Sequence, residues 1–181
     1  MLVDNSSEMV KLAKKNTKYV VIQDSISSTT FTLKKKIKKG SMQVITCLWN
    51  VLGHLPSIHE RKIALQRMEL FLAHNGKIIL DVSNRYNMAH YGAGVVIGNI
   101  LKDVLFPYVS HGDETYTIYV NKKISIPSSC HFFSPFEIDT LIRKTKLQIL
   151  EKKYIDYQTG KTVRTFLQGH IAYVLQRTSS P

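Results

Sequence analysis

The sequence predicts an α/β fold: an open, mostly parallel sheet covered by helices and closed by an antiparallel pair of strands at its edge. Three observations predict it. Two short β-rich runs, Val44 to Trp49 and Ile78 to Val82, are too continuously apolar for a sheet with one wet face, so they read as neighbouring buried parallel strands. Between them a stripe of Ala64, Leu65, Met68, Phe71 and Leu72 falls at helical spacing and can cover the sheet. Polar residues gather just past each strand end, as Asn50-Val51-Leu52-Gly53-His54 and as Asp81-Val82-Ser83-Asn84-Arg85-Tyr86-Asn87. In open α/β sheets ligands sit beyond those carboxyl ends.

The central helix carries its own punctuation. Ser57-Ile58-His59-Glu60 fits a capping box at its start, and Asn75-Gly76 reads as a left-handed stop. Upstream, Asp4 stands at the tip of a short strand and leads at once into a helix that Asn5 with Glu8 would start. An acid there is how α/β folds hold the two hydroxyls of a ribose, although it reads equally as a helix cap. Tyr19 to Ile22 is a further β run ending at Gln23-Asp24-Ser25, and a Ser/Thr-rich loop follows as far as Thr32. Four strand ends therefore carry polar groups: Asp4, Asp24, Asn50 and Asp81.

Downstream of Asn87 the stretch from Met88 to Tyr108 is apolar but interrupted by His90, Asn99, Lys102 and Asp103. It reads as a lid or interfacial helix rather than a membrane span. Asp113 to Val120 and Ile124 to Pro127 form a hairpin turned at Asn121-Lys122-Lys123. Ser134-Pro135-Phe136-Glu137 starts a helix by two signals, a cap box and a proline in the first turn, with Ile138, Leu141 and Ile142 on its buried side. Leu147 to Tyr157 and His170 to Gln176 remain as the closing strands, joined through Thr159-Gly160. The chain divides into residues 1–87, residues 88–133 as a lid and substrate insertion, and residues 134–181 as closing helix and strands of the same domain.

Composition narrows the class. With 181 residues, 44% of them hydrophobic, the chain is long enough for one domain with a sizeable core. Cys47 and Cys130 show no metal spacing and no disulfide framework, which suits a reducing cytosol. The net charge of +12 invites nucleic acid as a partner. The 25 basic residues divide into 19 Lys and 6 Arg, however, and Arg is the residue favoured for bidentate reading of phosphates and bases. The one dense run, Lys34-Lys35-Lys36-Ile37-Lys38-Lys39, reads as a solvated helix end.

The order of these pieces resembles the class I S-adenosylmethionine-dependent methyltransferases over roughly the first half of the chain, about ninety residues. The resemblance rests on VDNSSEMVKLA, IQDS, VITCLWNVLGHLP and NGKIILDVSNRYN. It implies a Rossmann-like three-layer sheet, S-adenosyl-L-methionine as cofactor and a cytoplasmic enzyme without metal. Asp4, with Asn5 and Met9, would bind the ribose, and Asp24 with Ser25 would lie by the adenine. Within the family, Leu48-x-Asn50-x-x-x-His54-Leu55-Pro56 followed by Asp81-x-x-Asn84 is similar to the glycine/sarcosine N-methyltransferase branch. Asn50 and His54 would then lie near the methyl donor and the acceptor amine.

Two departures accompany the resemblance. The family's first strand and glycine-rich loop, which approach the methionine end of the cofactor, have no room ahead of Asp4. Ser83 stands where the glycine-methylating relatives have an arginine, and Arg85 is two residues on. The implied reaction is methyl transfer to a small-molecule acceptor through an N or O nucleophile. Asn50 and His54 are its catalytic candidates, and Asn84, Arg85, Tyr86 and Tyr91 join His54 on the acceptor side. His54 reads equally as a proton acceptor and as a residue packing at the helix start. The rivals are an RNA methyltransferase and a truncated, non-catalytic relative with an exposed sheet edge prone to associate.

Overall fold

The computed structural model describes residues 1–28, 37–108, 110–121 and 124–178. Leu2–Asp4 (β1) and Val21–Gln23 (β2) pair in parallel around Ser7–Asn16 (α1). Met42–Cys47 (β3) and Leu72–Val82 (β4) form the predicted parallel pair, joined by a short 3₁₀ turn at Val51–His54 and by Ile58–Phe71 (α2). Then come Met88–Tyr91 (α3), Ala93–Leu105 (α4), the hairpin Asp113–Asn121 (β5) with Ile124–His131 (β6), and Pro135–Arg143 (α5). Leu147–Ile155 (β7), Thr162–Val163 (β8) and His170–Arg177 (β9) are the last elements described.

The described strands form three sheets. The largest has the order β3-β4-β9-β7-β8, while β1-β2 and β5-β6 are separate pairs. Strand β9 is antiparallel to both β4 and β7, so β4 and β7 run the same way and end on the same side as β3. The antiparallel closing strands are as the sequence predicts; β8, of two residues, has no signal in it.

One core holds the large sheet together. Ile78, Leu80 and Val82 alternate along β4, Ile171, Tyr173 and Leu175 along β9, and all six are buried. Over them lie Ala64, Leu65 and Met68 of α2 and Ile138, Leu141 and Ile142 of α5, with Phe133 fully buried at the margin. Both helices start where capping predicts. Ser134 and Glu137 form the complete reciprocal box, whereas Ser57 accepts from the Glu60 N–H alone among the described bonds. Helix α1 starts one residue later than expected, on Ser6, whose hydroxyl accepts from the Met9 N–H.

Two expectations are corrected. Asn75-Gly76 does not end α2, which stops at Phe71; both residues lie inside β4, and Gly76 is not left-handed. Glycine is required there by close approach, since a Cβ would meet the Met42 carbonyl oxygen at 2.7 Å and Leu72 Cδ1 at 2.8 Å. Strand β3 is not buried, because it is the edge strand: Val44 is 58% exposed despite its apolar sequence. The loop to Thr32 lies partly, and Lys34 to Lys36 and Lys122-Lys123 wholly, outside the described residues.

Candidate functional site

The parallel strands bring four polar tips to their carboxyl ends. On the small sheet, the Asp24 N–H bonds the Asp4 carbonyl at 3.0 Å, so the two acids stand at adjoining tips. The half-buried Asp4 carboxylate accepts from the Ser6 N–H at 2.8 Å, and that of Asp24 from the Ser25 N–H at the same distance. A carboxylate can accept about four hydrogen bonds, so one N–H leaves Asp4 with capacity for a pair of hydroxyls.

On the large sheet, β3 ends in a sharp turn. Trp49 and Asn50 are the non-glycine residues with positive φ among those described, at 62° and 55°. A bulky residue in the left-handed region costs roughly 1–2 kcal/mol, and such strain collects at functional sites. Asn50 is fixed by its neighbours: its N–H donates to Asp81 Oδ1 at 2.9 Å, and its Oδ1 accepts from the Ser83 N–H at 3.1 Å. Its Nδ2 donates to Cys130 Sγ at 2.8 Å and the His131 carbonyl at 3.2 Å. Gly53 permits this, because a Cβ there would fall 2.5 Å from the same carbonyl.

The outward side of the turn is aromatic. Trp49 is 78% exposed and sits edge-on to Tyr157, ring centroids 5.6 Å apart. Tyr157 in turn stacks on His170 at 3.9 Å with the planes 6° apart, and its hydroxyl donates to Asp81 Oδ2. Burial, then the hydrogen bond to Asp81, raises the Tyr157 phenol well above its ordinary value. Burial also lowers the His170 imidazole. The Cys47 thiol below is pushed up to about 12 by burial, with Asp81's charge second, so it is no thiolate nucleophile near neutrality.

Behind the turn runs a chain of ionic contacts. Arg61 of α2 meets Asp113 of β5 at 3.1 Å; Asp113 meets His131 Nδ1 at 2.7 Å; His131 Nε2 meets Glu137 of α5 at 2.7 Å. Glu137 meets Arg85 at 2.7 Å, and Arg85 meets Asp103 of α4 at 2.8 Å. Asp103 also receives the Tyr86 hydroxyl and contacts His111 Nδ1 at 3.1 Å. Burial alone would raise the Asp103 carboxyl, but hydrogen bonds from Tyr86 and Arg85 outweigh it and hold the group below its usual range. Asp113 is held low against burial in the same way, by His131 and Arg61.

With this geometry in view, solved structures supply the comparison. An S-adenosylmethionine-dependent methyltransferase from Clostridium acetobutylicum superposes with a TM-score of 0.62 at 16% identity, over 98% of this chain and 74% of that one. One from Methanosarcina mazei gives 0.65 at 14%, over 97% and 80%. The amino pentose methyltransferase CalS10 from Micromonospora echinaspora, solved with bound S-adenosylmethionine, gives 0.55 at 14%, over 97% and 72%. The fold is that of the S-adenosylmethionine-dependent methyltransferases. No protein-family profile matches the sequence, and no curated protein does.

Within this methyltransferase fold the residues predicted from sequence divide into two groups. Asp4 and Asp24 come together, with Asn5 exposed, Met9 half exposed and Ser25 beside Ser27. His54 is exposed at the end of the 3₁₀ turn. The others are held inside. Asn84 gives its Nδ2 to the Phe166 and Gly169 carbonyls, and Arg85 its guanidinium to Asp103, Glu137 and the Phe132 carbonyl. Tyr86 is buried, and Tyr91 is edge-on to Phe132 with its phenol pushed up to about 12 by burial. Sequence reading missed Trp49, Tyr157 and His170. The one available signal was the tryptophan directly before the polar motif that begins at Asn50.

Proposed function

We propose that this chain transfers a methyl group from S-adenosyl-L-methionine to a small-molecule acceptor. The observation that carries the reading is the pair Asp4 and Asp24, placed at adjoining parallel strand tips in a methyltransferase fold. Asp4 would accept from the ribose hydroxyls, and Asp24 with Ser25 would lie by the adenine. The donor supplies an electrophilic methyl group on a sulfonium. The chain's own work is to orient the acceptor in line with it and to exclude water. Asn50, with its amide tied to Ser83, Cys130 and His131, holds the turn in place rather than touching substrate. His54, exposed at the end of the 3₁₀ turn, would take a proton from the acceptor. Residues 1–87 would hold the donor and residues 88–133 would cover the acceptor.

A second reading is favoured by one observation. Among the described residues the β1-β2 pair hydrogen-bonds to no strand of the large sheet, so the donor-binding half is held less firmly than in a continuous sheet. On that reading the chain keeps the fold without a competent donor site. Calorimetric titration with S-adenosylhomocysteine decides between them. Saturable binding that disappears in Asp4→Ala is the outcome expected of the enzyme. A folded chain with no binding supports the non-catalytic reading.

A further inference from the structure

We propose that Trp49, Tyr157 and His170 form an aromatic wall that binds a positively charged nitrogen on the acceptor, which makes cationic amines the preferred substrate class. The inference rests on the methyltransferase reading and goes beyond it by naming what the acceptor must carry. Topology brings the three rings together at the ligand end of the sheet. Trp49 follows β3, Tyr157 follows β7, and His170 opens β9, where its neighbour Ile171 pairs with Val82 at the end of β4.

Three features suit a cation. The wall is continuous, through the stacked Tyr157–His170 pair and the edge-on Trp49. The indole is the best aromatic face for an ammonium group, and here it is 78% exposed. Two carboxylates, Asp81 and Asp156, lie beside the wall. Asp81 holds the Tyr157 hydroxyl and the Asn50 N–H, and Asp156 lies close enough to act on His170. His90 is the other titratable group acting on His170, whose own burial disfavours its charged form. On a chain of net charge +12, these carboxylates stand directly beside the rings.

Strain is the independent observation. A bulky aromatic in left-handed backbone, largely out of contact with the core, is not explained by packing. Its conformation is explained if the indole is held out for a ligand, since Asn50 and Asp81 beneath it fix the turn.

Trp49 is the chain's single tryptophan, so its emission reports on the wall directly. The test titrates the full chain, without donor, with benzyltrimethylammonium and with benzyl alcohol as the neutral counterpart. Saturable quenching by the cation, tighter than by the alcohol by roughly tenfold or more, is the expected result. Tyr157→Phe keeps the ring and retains binding; Tyr157→Leu weakens it. Should Tyr157→Leu fail to fold, Trp49→Gly at its exposed position serves instead, read by calorimetry, and loses binding. Equal responses to cation and alcohol, or none, overturn the proposal. So does competition by S-adenosylmethionine but not S-adenosylhomocysteine, which assigns the wall to the donor's sulfonium. Because no donor is present in the primary titration, the wall can fail while S-adenosylhomocysteine still binds, and the reverse.

Discussion

The two parallel strand pairs, β3-β4 and β1-β2, are built by the same device, a strand leading through a helix to a parallel neighbour, and end very differently. Strand β4 gains β9 on its far side and two helices above it, so Ile78, Leu80 and Val82 are fully buried. Among the described elements β1 and β2 pair only with each other; Ile22 packs on Phe71 of α2, but Leu2 and Val3 remain exposed. Apolar sequence makes a strand; a second partner and a covering helix make it a core.

The largest expected contrast is in hydrogen exchange. Amides of β4 and β9 should exchange more slowly than those of β1 and β2 by a factor on the order of a thousand or more, because the former open only with the whole fold. Equal protection would mean that both pairs unfold as one unit and would break the comparison. Next comes the ionic chain that ties the α4, β5 and β6 segment to the better-packed half. Arg85→Met leaves Asp103 and Glu137 without their cation and should cost about 3–5 kcal/mol in urea unfolding.

Core truncation follows at similar or smaller size. Leu80→Ala should cost about 2–5 kcal/mol, against roughly 0.5 kcal/mol or less for Leu2→Ala. Acid should act on the same ties. Asp103 and Asp113 have carboxyls lower in the folded chain than in the unfolded one, so the unfolded state binds protons first as pH falls. The stability they confer is complete above the ordinary carboxylate range and is lost as pH drops through their folded values. A melting-temperature series against pH should decline on that acidic side, and Asp103→Asn should flatten the decline. The smallest effect has the opposite sign. Trp49→Gly should raise stability by about 1 kcal/mol at most, strain relief less the added freedom of glycine in the unfolded chain.

Local signals carried the fold well. Capping at Ser57 and Ser134 starts α2 and α5, and the two closing strands lie in the stretches left over once the other elements are placed. Features set by distant partners were not readable. Gly76 is identical in sequence to a helix stop and acts instead by close approach to Met42, which only pairing with β3 brings near. Asn50 and Arg85 were visible as polar residues at strand ends. Their partners, Cys130, His131 and Glu137, lie 52 to 81 positions away in other elements, and no spacing rule links them. The aromatic wall was hidden for the same reason, since Trp49, Tyr157 and His170 belong to three strands joined only by the sheet.

The ionic chain also bears on how this protein can vary. Each carboxylate in it serves two cationic or imidazole partners: Asp113 serves Arg61 and His131, and Glu137 serves His131 and Arg85. Substituting a carboxylate therefore takes one partner from two groups at once, and a lineage that changes one member is pressed to change others with it. Among relatives these positions should be inherited as a block, kept together or replaced together by apolar residues, while surface lysines drift one at a time.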